Sequence, residues 1–209
     1  MTDCLAYEKK AYEAGYQTII GLDEAGRGPM AGPLCVGGVI FPKDFYDERI
    51  NDSKQLTEKK REELYEVIKE HALAYLVEVI SVEEVDELNV YRASQEGMKR
   101  IIRRIKVKPD FALSDAMPLG SEIPHEAIIK GDSLSQSIAA ASIMAKVTRD
   151  HLMKAYALQY PQYGFEKHKG YPTKEHKAAL ETYGVTPIHR RSFAPVQAVL
   201  HKQISLFDL

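Results

Sequence analysis

The chain has no tryptophan and only two cysteines, Cys4 and Cys35, in 209 residues. Two thiols cannot form a disulfide framework or a thiolate zinc site, and their scarcity suits a reduced, cytoplasmic setting. No apolar stretch approaches the ~20 residues that span a bilayer; the longest, at 34–41 and 73–77, are of strand length. No basic segment leading into an apolar one opens the chain, so no secretory leader and no membrane partner are expected. Internal repeats are absent, as is any linker rich in Gly, Ser or Pro between large domains. With 44% hydrophobic and 28% charged residues, the composition is that of an ordinary globular protein. A single domain over 1–209 is predicted, with nothing that demands more than a monomer.

The net charge of −2 is unevenly spread: residues 130–209 hold 11 Lys/Arg against 6 Asp/Glu, and five of the seven histidines. A basic rear third beside an acidic front suits a polyanion held at one side, or a solvated surface. The pattern alternates strands and helices. Residues 18–22 and 33–41 are apolar and bounded by glycine, which predicts strands, the first ending at Asp23. Thr57 can cap a helix over 57–71, with Leu64, Val67, Ile68 and His71 on one face. A strand follows at 73–80. Ser81-Val-Glu-Glu84 is a capping box, and Met98, Ile101, Ile102 and Ile105 carry helical spacing. Short strands at 111–113 and 127–129 lead into Ser114-Asp115 and Lys130-Gly131-Asp132. A helix is predicted over 137–160; its opening run of small residues lets it lie close against a sheet. The fold class is therefore α/β.

Asp23-Glu24, Asp115 and Asp132 each sit at the end of a predicted strand. Sites in open α/β sheets gather at strand ends, so these four carboxylates can converge. Like charges brought together need cations between them, and an all-oxygen set selects Mg²⁺ or Mn²⁺. Taken singly, each acid reads first as a turn-former or helix cap. Gly26-Arg27-Gly28 follows the acidic pair; its glycines let backbone N–H groups approach a phosphate or sugar, although a plain tight turn has the same composition. Lys167-His168-Lys169-Gly170-Tyr171, with His189-Arg190-Arg191, interleaves cations with an aromatic ring, as surfaces that track a nucleic-acid backbone do. A solvated loop would look the same.

In combination these blocks resemble one family. Gly21-Leu-Asp-Glu-Ala-Gly-Arg-Gly-Pro-Met-Ala-Gly-Pro33 is similar to the signature of type 2 ribonuclease H (ribonuclease HII). Asn51-Asp-Ser-Lys-Gln-Leu56, Lys130-Gly-Asp132, the Ala139-Ala-Ala-Ser-Ile143 and Ala145-Lys-Val-Thr-Arg-Asp150 runs, His168-Lys-Gly-Tyr-Pro-Thr-Lys-Glu-His176, Pro187-Ile-His-Arg190 and Ser192-Phe193 follow in the family's order. The resemblance covers about 18–196. It implies a ribonuclease H-like fold, a mixed sheet flanked by helices with a helical C-terminal portion. It implies hydrolysis of the RNA strand of RNA–DNA hybrids and incision 5′ of a ribonucleotide embedded in duplex DNA, with a place in replication and ribonucleotide removal. By position, Asp23, Glu24, Asp115 and Asp132 match the catalytic, metal-binding acids. Gly26, Arg27 and Gly28 match the loop that senses the ribose 2′-OH, Tyr171 the ring that stacks on a sugar, and Lys54 a phosphate contact. The chemistry expected is two-metal catalysis with Mn²⁺ or Mg²⁺, the ions ~4 Å apart, leaving 3′-OH and 5′-phosphate ends.

Two positions depart from the family pattern. Ser114-Asp115-Ala116 stands where many members have Val-Asp-Gly, and Leu134 stands where a lysine is common. In a short tail at 203–209, Gln203, Leu206 and Phe207 resemble the Q-x-x-L-F peptide that docks on the bacterial DNA sliding clamp. Competing readings are a metal nuclease acting on branched DNA and a non-catalytic hybrid-binding protein. A nucleotide-binding enzyme lacks the Gly-Lys-Ser/Thr sequence it would need.

Overall fold

The computed structural model describes residues 3–207, and side chains up to residue 202. The chain forms two compact units. One comprises residues up to Ala25 with Cys35–Val79 and Ser94–Thr148; the other comprises Gly26–Leu34, Ile80–Ala93 and the residues from Arg149 onward. Among the described residues no helix is long and apolar enough to cross a membrane.

The first unit is built on a five-stranded sheet of β1 (Ile19–Ala25), β2 (Leu34–Ile40), β3 (Ala74–Ile80), β4 (Phe111–Asp115) and β5 (His125–Ile128), in the order β3-β2-β1-β4-β5. β1 runs antiparallel to β2 and parallel to β4, and β4 parallel to β5, so the sheet is mixed as expected. β1 differs from its sequence-based bounds. It continues through Asp23 and Glu24 to Ala25, because the backbone of both acids pairs with β2, Asp23 opposite Gly37 and Glu24 opposite Val36. Asp23 is thus an interior residue of β1, paired with β2.

Helices α1 (Ala6–Glu13), α2 (Glu58–His71), α3 (Val82–Arg104) and α4 (Gln136–Gln159) surround these strands in the sequence. Thr57 caps α2 by accepting from the Lys60 amide at 3.3 Å, and Ser81 caps α3 through the Glu84 amide at 3.2 Å. α3 breaks at Asn89, whose φ of 64° and ψ of 161° are not helical. Its side-chain oxygen accepts from the amides of Tyr91 and Arg92 and so restarts the helix. That second cap lies within one predicted helix and was not anticipated from the pattern. α1, which the pattern also missed, sends Glu8 to the start of α4, where its carboxylate accepts from Ser135 Oγ at 2.6 Å and the Ser137 amide at 3.0 Å.

Glycine fixes how closely α4 meets the sheet. A Cβ on Gly21 would lie 2.1 Å from the Ser137 carbonyl carbon, and one on Gly37 would lie 2.2 Å from the Ala141 oxygen. Backbone therefore rests on backbone, as the small-residue run 137–142 predicts. On the opposite face Gly38 makes room for Ile101 of α3. Val39, Phe41, Ile50, Leu64, Ile68 and the buried side of α4 form one core; Ala11, Ile19, Leu113, Ile128 and Ile138 form another.

The second unit includes α5 (Phe165–His168), α6 (Lys174–Tyr183) and α7 (Ala194–Phe207), the helical C-terminal portion. Ala31, Met153, Tyr163, Phe165 and Ile188 make its core, with the Tyr163 and Phe165 rings stacked at 5.3 Å. An isolated antiparallel bridge pairs Ala31 with His189. The backbone of 203–207 completes α7, whereas the side chains of Gln203, Leu206 and Phe207, and residues 208–209, lie outside the described residues.

Candidate active site

β1, β4 and the 3₁₀ turn Gly131–Ser133 each deliver one carboxylate to the same place. Oxygens of Asp23, Asp115 and Asp132 all lie within 4.8 Å of one another. The parallel pairing of β1 with β4, which ends at Leu22 opposite Ser114, brings Asp23 alongside Asp115, the last residue of β4. Asp115 Oδ1 then accepts from the Gly131 amide at 2.8 Å and draws the turn bearing Asp132 up to β4. Lys130, at φ 58°, turns the chain from β5 into that 3₁₀ segment.

Burial makes this cluster costly. Asp23 is 3% exposed and Asp132 4% exposed. Asp23 Oδ1 accepts from the Glu24 amide at 2.7 Å, and Ser142 supplies a second hydrogen bond. The carboxyl is nevertheless held well above its ordinary pKa, first by burial and then by the charges of Glu24 and Asp115. Lys54 offsets part of the repulsion: its ammonium donates to Asp132 Oδ2 at 2.8 Å. The same contact raises the Lys54 pKa. The site already accepts one cation. Three buried or half-buried carboxylates with no nitrogen or sulfur among them suit a hard, oxygen-seeking divalent ion.

Glu24, half-buried on β1, follows Asp23 and adds its charge to the same strand end. Ser142 and Ser53, whose hydroxyls lie 2.9 Å apart, back the cluster and were missed from sequence. Ser142 sits in the small-residue run that was read as packing alone. The two departures also find their places. Ala116, directly after Asp115, adopts φ 50°, a conformation suited to glycine. Leu134, half-buried, packs against the core of Ile19, Leu113 and Ile138.

In the second unit Gly26 has φ 105°, and a Cβ there would lie 2.2 Å from Arg149 Nε. Arg27 and Gly28 are exposed. The ring of Tyr171, 46% exposed, lies over Gly28 so closely that a Cβ on that glycine would come 3.2 Å from Tyr171 Cε1. Loop and ring therefore share one surface. Behind them two buried histidines form a neutral chain, so His189 is not one of the exposed cations that the sequence pattern suggests. The Thr186 amide donates to His189 Nδ1 at 3.0 Å, which leaves the proton on Nε2. His189 Nε2 then donates to His176 Nε2 at 3.1 Å, and His176 Nδ1 donates to the Tyr171 carbonyl at 2.9 Å. Burial lowers the pKa of His176 to about 4 and that of His189 to about 3.

Comparison with known proteins shows the family and the fold. The family model described as Ribonuclease HII matches residues 20–196. The chain belongs to the ribonuclease HII family. It is 55% identical over 198 residues to a ribonuclease HII of Acholeplasma laidlawii, covering 95% of this chain and 98% of that one. It is 54% identical to a relative from Clostridioides difficile over 90% of this chain and 74% of that one. The crystal structure of the ribonuclease H2 from Pyrococcus horikoshii superposes with a TM-score of 0.79 at 27% identity, covering 88% and 98% of the two chains. A ribonuclease HII from Archaeoglobus fulgidus, solved in complex with PCNA, gives 0.71 at 28% identity over 83% and 93%. The protein is accordingly an endonuclease of the hydrolase class with a ribonuclease H-like fold, an endoribonuclease acting on RNA–DNA.

Proposed function

We propose that this protein cleaves the RNA strand of RNA–DNA hybrids and incises 5′ of single ribonucleotides embedded in duplex DNA, leaving 3′-OH and 5′-phosphate ends. The observation that carries the reading is the convergence of Asp23, Asp115 and Asp132 within 4.8 Å. With Glu24, these are the residues that would hold divalent ions. Bound there, Mn²⁺ or Mg²⁺ supplies an acidified water and charge stabilisation for the departing 3′ oxygen.

The chain's own groups do the rest. Glu24 N–H and Ser142 fix Asp23, and Gly131 N–H fixes Asp115, so these carboxylates lose little freedom when they bind cations. Lys54, whose ammonium now rests on Asp132, is suited to move onto a substrate phosphate once that charge is otherwise matched. Gly26, Arg27 and Gly28 follow directly in sequence on the strand bearing Asp23 and Glu24. Their backbone groups would test for the ribose 2′-OH, which separates RNA from DNA at a given site. Tyr171, lying over Gly28, would stack on the adjoining sugar. The peptide Gln203, Leu206 and Phe207 would dock on the bacterial sliding clamp, a reading supported by its sequence and by the archaeal relative's complex with PCNA.

The test is a duplex with one internal ribonucleotide compared with its all-DNA equivalent, in Mn²⁺, Mg²⁺ and chelator. Cleavage 5′ of the ribonucleotide in metal alone, lost in Asp115→Asn, is expected. Equal cleavage of the all-DNA duplex would refute the specificity, and activity in chelator would refute the metal requirement.

A further inference from the structure

Resting on the reading of the 26–28 loop as the 2′-OH sensor, a further question is what holds so glycine-rich a segment in one shape. Glycines make poor scaffolds, since they lose the most conformational freedom on ordering. Two arginines supply the frame. Arg149, 1% exposed, sends three nitrogens to three carbonyls: Nε to Pro33 at 2.9 Å, Nη2 to Ala31 at 3.0 Å and Nη1 to Lys169 at 2.9 Å. Arg190, fully buried, donates from Nε to Gly32 O at 3.0 Å and from Nη1 to Arg27 O at 3.3 Å. Its own amide donates to Met30 O at 2.9 Å, and its guanidinium lies 5.3 Å from the centre of the Phe193 ring. The carbonyls of Arg27, Met30, Ala31, Gly32 and Pro33 are thus all taken by these two residues.

The same contacts tie the loop to the segment bearing Tyr171. Arg149 bridges Ala31 and Pro33 to Lys169, and the Met30 amide donates to Gly170 O at 3.0 Å. Gly170, at φ 86°, permits this approach, since a Cβ on it would lie 2.2 Å from Ala31 O. The arginines in turn depend on glycine. A Cβ on Gly26 would strike Arg149 Nε, and one on Gly32 would lie 3.2 Å from Arg149 Nη2. Only a planar fork reaches several carbonyls in fixed directions; an ammonium is a point donor.

We propose that Arg149 and Arg190 are positioning residues that hold the 26–33 loop and Tyr171 as one rigid reading element. The experiment combines amide hydrogen exchange with cleavage kinetics for Arg149→Lys and Arg190→Lys. In the parent the Met30 and Gly32 amides should exchange as slowly as core amides of β1. In either lysine variant they should exchange at least tenfold faster. On the single-ribonucleotide duplex kcat should fall at least tenfold with KM changed less than threefold, while the thermal shift produced by Mn²⁺ stays within a third of the parent value. Rapid exchange of Met30 and Gly32 in the parent would overturn the proposal even if neither variant folds. So would lysine variants with parental exchange and kcat, or with the Mn²⁺ response lost together with activity. Should the parent fail to cleave at ribonucleotides at all, the sensor reading is wrong, and the exchange data still decide whether the arginines hold the loop.

Discussion

Replacing Asp23 with asparagine should abolish activity and yet make the metal-free protein more stable. Oxygens of Asp23, Asp115 and Asp132 lie within 4.8 Å. At that separation, with an effective dielectric of ~20, a like-charge pair costs about 3.5 kcal/mol. The half-exposed position of Asp115 and the ammonium of Lys54 on Asp132 reduce that figure. A net gain of about 1–3 kcal/mol is expected. Asparagine keeps the oxygen that accepts from the Glu24 amide, and its new N–H₂ can donate to a neighbouring carboxylate. In a chain of this size each kcal/mol moves Tm by ~2–4 °C, so Asp23→Asn in chelator should melt roughly 2–12 °C above the parent.

Two controls make the reasoning refutable. Because the Asp23 pKa is raised, the folded parent binds more protons than the unfolded chain between the two pKa values; its handicap grows as pH rises above the ordinary carboxylate value and is complete above the folded one. The Tm gap should be small near pH 4 and largest at neutral pH. Saturating Mn²⁺ should lift the parent by about 2.7 kcal/mol at a hundred times Kd and lift the variant far less. A variant that melts below the parent in chelator, or that keeps the full Mn²⁺ response, would refute the description of the cluster as repulsion awaiting cations.

Ala116→Gly should stabilise the protein by about 0.5–1 kcal/mol, since Ala116 is exposed at φ 50° and glycine carries no Cβ penalty there; a lowered Tm in thermal denaturation would contradict this. Gly28→Ala should lower kcat/KM at a single ribonucleotide at least tenfold with little effect on Tm, because the new Cβ, 3.2 Å from Tyr171 Cε1, displaces the ring; an unchanged rate in steady-state kinetics would remove the ring from the site. His176 and His189 are neutral when folded, with pKa values of about 4 and about 3 against 6.5 unfolded. Their contribution is complete above pH 6.5 and is lost as pH falls toward 4, with a slope of up to ~1.4 kcal/mol per pH unit for each. Thermal melts in the Asp23→Asn background, which removes the opposing trend of that carboxyl, should show this decline; a flat profile from pH 7 to 4.5 would argue against the neutral chain.

Which parts of the site were legible depends on the kind of interaction that builds them. Charge convergence leaves a mark in sequence because a carboxylate at the end of an apolar strand is costly and needs a reason. Asp23, Asp115 and Asp132 carried that mark, and the sheet order that unites them follows from ordinary strand pairing. The boundary of β1 was misjudged for the same reason: a charge was taken to end the strand, whereas pairing opposite Gly37 and Val36 carried it on. The helix break at Asn89 was hidden because one side chain both interrupts the pattern and caps its continuation.

The loop behind Gly26 and Tyr171 was illegible for a deeper reason. Its shape is set by arginine and histidine side chains meeting main-chain carbonyls, and a carbonyl is the same at every residue. Arg27, Met30, Ala31, Gly32 and Pro33 are joined to Arg149 and Arg190 through oxygens that no residue type advertises. The glycines are the trace: Gly26, Gly32 and Gly170 sit at positive φ where a Cβ would collide with Arg149, with Met153 and with the Ala31 carbonyl respectively. A glycine-rich stretch of this kind therefore records close approach rather than flexibility. If the segment reads the ribose 2′-OH as proposed, that rigidity would let it discriminate between sugars that differ by one hydroxyl, for a reader that yielded by an ångström would accept either.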